Sequence, residues 1–355
     1  MCPWDEPRGT VPRIELATGY TVPRIITGAW QLSAGHAQEP IDRDVALARF
    51  DELVARGFTA FDCADIYTGV EELLGEFVRR RPPSARGDIQ IHTKFVPDRA
   101  ALPAIDRQYV GRIVERSLTR LGVERLDLVQ FSWWDYGVPG YVEVAGWLAE
   151  LQRAGKIRLL GGTNFDVARA REIAAAGIDL VAHQVQYSPL DTRPENGMVE
   201  HCAGRDSWLL CYGALAGGFL SDAYVGMAAP PEPANRSLTK YGLIIDEFGG
   251  WDLYQELLVA LAVIAAKHAV ALSTVVLRWL LERPRVAAAI VGVSRRDRAR
   301  QNLAAFSFRL DADDRAQIDA VLTRRNGPTG DVFGLEREVG GKHAAIMRYD
   351  LNREA

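Results

Sequence analysis

A chain of 355 residues with 48% hydrophobic and 25% charged side chains can bury a sizeable core as one large domain, and its net charge of -4 excludes the strongly basic surface that binds nucleic acid. The charged first residues do not form a signal peptide, and no stretch approaches the roughly 20 apolar residues of a membrane span, so we expect a cytoplasmic protein without a membrane partner. The four cysteines lack C-x-x-C spacing, which argues against zinc sites and disulfide frameworks, and no metal is expected.

From residue 40 onward, amphipathic helical stretches alternate with short, almost wholly apolar strands, and glycines often mark the change. In Asp44–Gly57, for example, Ala46, Phe50, Leu53 and Val54 form one apolar helical stripe. This alternation is typical of parallel β/α units. The predicted strands are Arg24–Ala29, Phe58–Asp62, Ile89–Lys94, Leu126–Phe131, Ile157–Gly161, Leu180–Val185, Trp208–Tyr212 and Val286–Gly292.

Eight parallel strands that are covered on both faces predict an α/β fold, a (β/α)8 TIM barrel in a single domain. A doubly wound open sheet is the alternative, disfavoured because no G-x-G-x-x-G follows an early strand. The barrel is expected to occupy residues 1–326, followed by a tail, 327–355, with little regular structure. An insertion at about 220–250, which contains Pro230, Pro231 and Pro233, is expected to form an irregular loop over the active face.

Polar side chains follow the second and third predicted strands. Asp62 and Lys94 end these neighbouring strands, and Tyr67 lies five positions after Asp62. A lysine cation beside a tyrosine stabilises the phenolate and lowers its pKa towards values useful for proton transfer, while the carboxylate holds the lysine charged. The trio therefore predicts an acid–base site, the alternative being a structural ion pair with Tyr67 as loop packing.

Later strand ends carry groups that suit a nicotinamide dinucleotide. Asn164 and Gln184 present amides for a carboxamide, and the ring of Tyr212 can stack on a flat heterocycle. The segment from Ile290 passes from strand to helix, where backbone N–H groups favour phosphate. Arg295 and Arg298 add cations for a 2′-phosphate, so NADP(H) is expected rather than NAD.

The chain resembles the aldo-keto reductases over about residues 20 to 325, in the motifs Gly28-Ala-Trp-Gln-Leu, Phe61-Asp-Cys-Ala-Asp-Ile-Tyr, His92-Thr-Lys, Gly162-Thr-Asn-Phe, Gln184-Val-Gln-Tyr-Ser, Cys211-Tyr-Gly-Ala-Leu-Ala-Gly-Gly and Gly292-Val-Ser-Arg-Arg. The resemblance implies that Asp62, Tyr67 and Lys94 are three of four catalytic groups, with Tyr67 as the proton donor to a carbonyl that receives hydride. The cofactor residues it implies are Gly28, Ala29, Trp30, Asp62, Thr163, Asn164, Gln184, Tyr212, Gly213, Leu215, Gly217, Gly292, Ser294, Arg295, Arg298, Gln301 and Asn302.

Ser132 stands where the resemblance implies the fourth catalytic residue, usually a histidine. A hydroxyl donates a single hydrogen bond and carries no charge, so it polarises a carbonyl less well than an imidazole. Three interpretations remain open: a slower reductase, reduction of an activated C=C bond, and a redox-neutral isomerisation or epimerisation.

Three tryptophans, Trp30, Trp133 and Trp134, lie at strand ends and are expected to shape, together with Tyr67, a pocket for an apolar or ring-bearing substrate, with core packing as the alternative. The sequence thus predicts an NADP(H)-dependent oxidoreductase acting on a small carbonyl or alcohol. A nucleotide-sensing subunit with little catalysis is the rival from another class, and the intact trio of Asp62, Tyr67 and Lys94 argues against it. The sequence carries no signal for an oligomeric state.

Overall fold

The computed structural model describes residues 11–34, 41–229, 235–292 and 298–352. Its first element is an antiparallel hairpin that the sequence analysis did not predict, formed by β1 (Arg13–Ala17) and β2 (Tyr20–Pro23). The Tyr20 hydroxyl lies 3.1 Å from Nε2 of His92, and both side chains are buried. The hairpin therefore packs against the inner face of the barrel that follows it in the chain.

The predicted barrel is confirmed. Eight parallel strands close on themselves, and each overlaps a predicted strand. In chain order they are β3 (Ile25–Gly28), β4 (Ala60–Asp62), β5 (Gln90–Phe95), β6 (Leu126–Phe131), β7 (Ile157–Thr163), β8 (Ala182–Gln186), β9 (Trp208–Tyr212) and β10 (Val286–Gly292). Register aligns their carboxyl ends, for example by pairing Gly28 with Asp62 and Thr163 with Gln184.

Helices surround the barrel, and the longer ones bury apolar residues. The first, capped by the Asp42 side chain, buries Ala46, Phe50 and Leu53 of the predicted stripe. The helices are α1 (Arg43–Val54), α2 (Val70–Arg80), α3 (Pro83–Arg86), α4 (Arg107–Leu121), α5 (Tyr141–Arg153), α6 (Val167–Ala175), α7 (Met198–Gly204), α8 (Arg236–Phe248), α9 (Gly250–His268), α10 (Leu272–Leu281), α11 (Arg298–Ala304), α12 (Ala312–Leu322), α13 (Gly334–Arg337) and α14 (Lys342–Ala345).

Length and apolar composition do not make any single described helix a membrane span. One pair of helices, α8 and α9, is long and apolar enough for a span when the two are taken together, but they are bent by 93° relative to each other.

The insertion at about 220–250 is not wholly irregular, as had been expected. It contains α8, whose N-cap Asn235 accepts a hydrogen bond from the Leu238 N–H at 2.9 Å. The helix buries Tyr241, Ile244 and Phe248 at helical spacing. That helical period begins after the three prolines, Pro230, Pro231 and Pro233, which lie outside the described residues.

The tail also has more structure than expected, because it carries α13 and α14 and packs on the barrel. Glu336 of α13 is fully buried and accepts hydrogen bonds from Arg193, the shorter of them 2.9 Å from Nη1 to Oε2. Its other oxygen lies 3.8 Å from Lys240 Nζ of α8. Near the end of the chain, the Asn352 amide donates to the Val96 carbonyl at 2.6 Å. Buried ionic and polar contacts thus hold the tail and the insertion at one rim of the barrel.

Candidate active site

The carboxyl ends of the barrel strands surround a cavity of about 320 Å³ at the rim. Its floor holds an ion pair between Asp62 of β4 and Lys94 of β5, with 2.6 Å between Oδ2 and Nζ. The same ammonium donates to the Cys63 carbonyl at 2.7 Å. Both charged side chains are only 6% exposed. The register of the two adjacent strands, in which Asp62 pairs with His92, explains why these ends meet.

Two amides hold the second oxygen of Asp62. Gln184 Nε2 donates to Oδ1 at 2.6 Å and Gln130 Nε2 donates to the same atom at 2.9 Å. Three side-chain donors thus satisfy the hydrogen-bonding capacity of this buried carboxyl group. Gln130 was not among the predicted site residues, although its position at the end of an apolar strand was a signal for it. Gln184 leaves its carbonyl oxygen as the atom that can accept from a ligand amide.

Tyr67 is close to the ammonium, as the sequence predicted. Its ring centre lies 5.0 Å from Lys94 Nζ, and Trp30 meets the ring edge-on at 4.7 Å. Burial raises the pKa of Tyr67, and the opposing effect of Lys94 is smaller. The expectation of a lowered pKa was therefore wrong in sign, because desolvation of the phenolate outweighs the attraction of the cation.

Lys94 stays protonated in the same environment. Burial alone would lower its pKa, but Asp62 and then Tyr67 outweigh burial and raise the pKa above its ordinary range. A fixed cation thus lies between a carboxylate and a neutral phenol, which is an arrangement that can hold a proton on the phenol and stabilise the phenolate after its release.

The loop that carries Tyr67 is anchored by Asp65. This buried carboxylate accepts from the Val96 N–H at 3.2 Å, which ties the loop to the end of β5. Burial, and next the nearby Glu71, raise the pKa of Asp65 to about 8. The anchor sits two residues from Tyr67 and restricts where the phenol can move.

The cavity extends past the end of β9, where Gly213 and Gly217 line it. Both have positive φ, 69° and 66°, and a Cβ on them would lie 2.6 Å and 2.9 Å from Tyr241 of α8, so glycine lets α8 pack this close. The Tyr212 hydroxyl donates to Asn164 Oδ1 at 2.9 Å. Exposed backbone, an aromatic ring and two amides are groups that suit a dinucleotide, so the residues present fit a nicotinamide cofactor.

Most predicted cofactor residues lie on this cavity, and a few do not. Those lining it are Gly28, Trp30, Asp62, Thr163, Asn164, Gln184, Tyr212, Gly213, Leu215, Gly217, Gly292 and Arg298. Ala29 is buried beneath the wall, and Gln301 and Asn302 lie on α11 outside the lining. Ser294 and Arg295 fall outside the described residues.

The sequence analysis missed the contributions of the insertion and the tail. Arg236, Ser237, Lys240 and Tyr241 of α8 line one side, and Ile346, Met347, Arg348 and Leu351 of the tail line another. Burial, and next the like charge of Arg348, lower the pKa of Arg236. Helical spacing could have revealed α8, whereas no local pattern placed the tail residues at the rim.

Ser132 lies where it was expected, buried at the end of β6 and lining the cavity. Trp134 also lines the cavity and donates from Nε1 to the Pro97 carbonyl at 2.8 Å. Trp133 does not line it: the indole is fully buried, donates to the Asp135 and Val138 carbonyls at 3.0 Å, and packs on Phe131. The prediction of Trp133 as a pocket wall was wrong, because consecutive residues face opposite ways here and the core takes one of them.

The family model described as the aldo/keto reductase family matches residues 24–323. The chain belongs to the aldo/keto reductase family. The resemblance stated from the sequence is thereby confirmed, and the chain is an oxidoreductase of a family that acts on small carbonyl compounds with pyridine nucleotides.

Individual relatives differ widely in kind. The NADH-specific methylglyoxal reductase of Escherichia coli is 25% identical over 332 residues, covering 86% of this chain and 95% of that protein. Aldo-keto reductase yakc [NADP(+)] of Schizosaccharomyces pombe is 30% identical over 214 residues, covering 58% and 61%. Flagellar radial spoke protein 5 of Chlamydomonas reinhardtii is 30% identical over 262 residues, 62% of this chain, which spans about half (49%) of that relative's length.

Solved aldo-keto reductases share the barrel. The thermostable aldo-keto reductase Tm1743, in complex with epalrestat, has a TM-score of 0.69 and 25% sequence identity, covering 87% of this chain and 99% of that one.

Proposed function

We propose that this aldo-keto reductase transfers hydride between NADP(H) and the carbonyl or alcohol carbon of a small apolar substrate, with Tyr67 as the proton donor in reduction. The observation that carries the proposal is the chain of contacts from Asp62 through Lys94 to Tyr67, in a cavity that Gly213 and Gly217 also line. An ion pair with a purely structural role needs neither a phenol beside its cation nor an open cavity next to it.

When it is bound, the cofactor would supply the hydride. The amides of Asn164 and Gln184 would hold its carboxamide, and Tyr212 would support its ring. Tyr67 holds its proton at neutral pH, because burial raises its pKa, and gives it to the carbonyl oxygen as negative charge develops there. Lys94 stabilises the phenolate that remains. Oxidation of an alcohol needs that phenolate at the start, so it is favoured as pH rises.

The preference for NADP(H) rests on Arg298, which follows the last barrel strand. It lines the cavity, and a planar guanidinium binds phosphate with two hydrogen bonds. Relatives carry names of both kinds, NADH-specific in Escherichia coli and NADP(+) in Schizosaccharomyces pombe. The proposed partners are accordingly NADPH and a small molecule.

The substrate end of the cavity is mainly apolar. Trp30, Val96 and Trp134 form one wall around Tyr67, and Ile346, Met347 and Leu351 of the tail form another. Such walls favour a carbonyl compound with a ring or a branched chain over a sugar, whose hydroxyls would lose hydrogen bonds to water.

The direct test follows NADPH absorbance while the protein is mixed with aromatic and aliphatic aldehydes, quinones and enones, with NADH as the comparison. We expect consumption of NADPH with aromatic aldehydes, slower consumption with methylglyoxal, and a preference for NADPH over NADH. Tight NADPH binding with no consumption by any of these compounds would contradict the proposed reduction.

A second candidate reaction follows from Ser132. Ser132 lines the same cavity as Tyr67, and no histidine is found among the described lining residues. Without that donor a carbonyl is less polarised, so reduction of an activated C=C bond, or a redox-neutral isomerisation or epimerisation, is the alternative. A third reading, a non-catalytic NADPH-sensing subunit, predicts cofactor binding without turnover, and the intact Asp62–Lys94–Tyr67 contacts argue against it.

Ser132→His separates the first two candidates. If the protein is a slow carbonyl reductase, the imidazole should raise kcat/KM for simple aldehydes by about tenfold or more, since one well-placed donor in such a site is worth up to about 10²–10³. The matched control is Ser132→Ala, which should leave the rate within a few-fold. Unchanged aldehyde reduction in Ser132→His, with enone reduction or isomerisation lost, would favour the alternative.

A further inference from the structure

The active-site cavity has a surplus of positive charge. Among the described residues its charged lining consists of one carboxylate and five cations, Asp62 against Lys94, Arg236, Lys240, Arg298 and Arg348. Lys94 pairs with Asp62 at 2.6 Å, and Lys240 lies 3.8 Å from Glu336. The proposed function gives Arg298 a cofactor phosphate. Two guanidinium groups of the lining, those of Arg236 and Arg348, are then left to be explained.

The fold does not pair these two guanidinium groups with an acid. Half-buried Arg236 donates to the Ile346 carbonyl at 2.8 Å. Exposed Arg348 makes no hydrogen bond or ion pair with any residue that the structure describes. Burial, and next the like charge of Arg348, lower the pKa of Arg236, so the two cations are close enough to repel each other. An anion that accepts from both would relieve this repulsion.

The tail places Arg348 on the substrate side of the cavity. The ring of Tyr349, the next residue, meets Trp134 edge-on with ring centres 5.2 Å apart, and its carbonyl accepts from the Arg99 N–H at 3.0 Å. Arg99 and Trp134 follow β5 and β6, which lie opposite β9 and β10 in the closed barrel. Arg348 is therefore across the cavity from the strand that leads to Arg298, and Arg236 reaches the same stretch of tail through Ile346.

Apolar side chains surround this charge. Ile346, Met347 and Leu351 line the cavity on either side of Arg348 in the chain. A ligand that packs against them loses little by leaving water if its body is apolar, and its acidic end can meet the guanidinium groups. Such a ligand has its carbonyl at Tyr67 and its charge at the tail.

We propose that Arg236 and Arg348 bind an anionic group of the substrate, a carboxylate or a phosphate. The substrate is then a carbonyl compound with an apolar body and an acidic end. This inference rests on the proposed function for the reacting end of the molecule, and it adds the contact that orients the other end.

The first test compares 4-carboxybenzaldehyde and 4-formylphenyl phosphate with 4-nitrobenzaldehyde, a neutral molecule of similar shape. The readout is the ratio of kcat/KM for each anion to that for the neutral aldehyde, so intrinsic reactivity cancels between variants. Arg348→Met should lower the ratio about tenfold or more, mainly through KM, since a hydrogen bond to a charged group is lost. The anion with the larger loss identifies the group bound. An unchanged ratio for both anions in Arg348→Met and in Arg236→Met overturns the proposal.

Binding without turnover separates this inference from the proposed reaction. The alcohol that reduction of 4-carboxybenzaldehyde yields, 4-(hydroxymethyl)benzoate, is titrated by calorimetry into the whole chain with and without NADP+, against neutral 4-methylbenzyl alcohol. The parent protein should bind the anion about tenfold more tightly, and Arg348→Met should bind the two alike. Anion binding without turnover of any aldehyde would contradict the proposed reduction but leave the anion site standing. Equal affinities in the parent protein overturn the site.

Two controls exclude other causes. Arg325→Met removes a guanidinium that, like Arg236, donates to a backbone carbonyl, that of Leu322 at 2.9 Å, but lies outside the cavity lining. It should leave the ratio within about twofold of the parent value. NADPH affinity should stay within about threefold in Arg236→Met and Arg348→Met. A tenfold loss of NADPH affinity with an unchanged ratio would assign the pair to a cofactor phosphate and overturn the proposal.

Discussion

Tyr67→Phe is expected to lower kcat for carbonyl reduction by about 10²–10⁴-fold, the usual contribution of a positioned proton donor. The ring would still pack against Trp30 and Lys94, so the shape of the cavity should persist. Only the phenol oxygen and its proton are removed. Stopped-flow and steady-state rates with NADPH, together with NADPH binding by fluorescence titration, measure the two effects separately.

The expected signature is a loss of rate with NADPH affinity within about threefold of the parent protein. Tyr141→Phe is the matched control, since it removes a phenol oxygen that bonds Glu172 on the outer helices, far from the cavity. Retention of more than a tenth of the parent rate in Tyr67→Phe would remove Tyr67 from the role of proton donor.

Lys94→Met should both stop turnover and destabilise the fold by ~3–5 kcal/mol, the usual cost of leaving one buried charge without its partner. Asp62 would keep its two amide donors but lose the ammonium 2.6 Å away. Because the pKa of Lys94 is raised in the fold, its contribution is present at all pH values below about 10, the pKa of an unfolded lysine, and is lost only above it. The destabilisation should therefore be the same at pH 6 and pH 9 in urea unfolding.

The double variant Asp62→Asn with Lys94→Met distinguishes pairing from packing. Removing both charges should restore much of the lost stability without restoring activity. Lys156→Met is the surface control: its pair with Glu115, at 3.0 Å, is well exposed and is worth at most about 1 kcal/mol. A double variant as unstable as Lys94→Met would show that the lysine stem, and not the charge pair, supports the barrel.

The barrel was predictable because its strands are continuous apolar runs with polar side chains at the carboxyl end, a pattern few other folds produce. The hairpin of β1 and β2 was missed although it alternates, with Leu16, Tyr20 and Val22 buried. Its strands have five and four residues, which is little sequence on which to see a period of two. The helical spacing of α8 begins only after three prolines that are typical of loops, so the local composition indicated an irregular segment.

The remaining errors concern interactions between distant parts of the chain. Glu336 is buried because Arg193, 143 positions earlier, meets it, and nothing near Glu336 in the sequence indicates that contact. The pKa of Tyr67 was given the wrong sign because proximity to Lys94 can be inferred from strand order, whereas the depth of burial depends on Trp30 and other residues of the assembled rim. Strand order predicted which residues meet, but not how much water reaches them.

The amide contacts of Asp62 have one more consequence. Lys94, Gln130 and Gln184 stand on three different strands and all donate to this carboxylate, so the bonds that stabilise its charge also cross-link the barrel at its open end. Lys94, the cation that faces the Tyr67 ring, is thereby held in position by the folded strands before any ligand arrives. Little reorganisation energy is then added to the barrier when a proton leaves Tyr67.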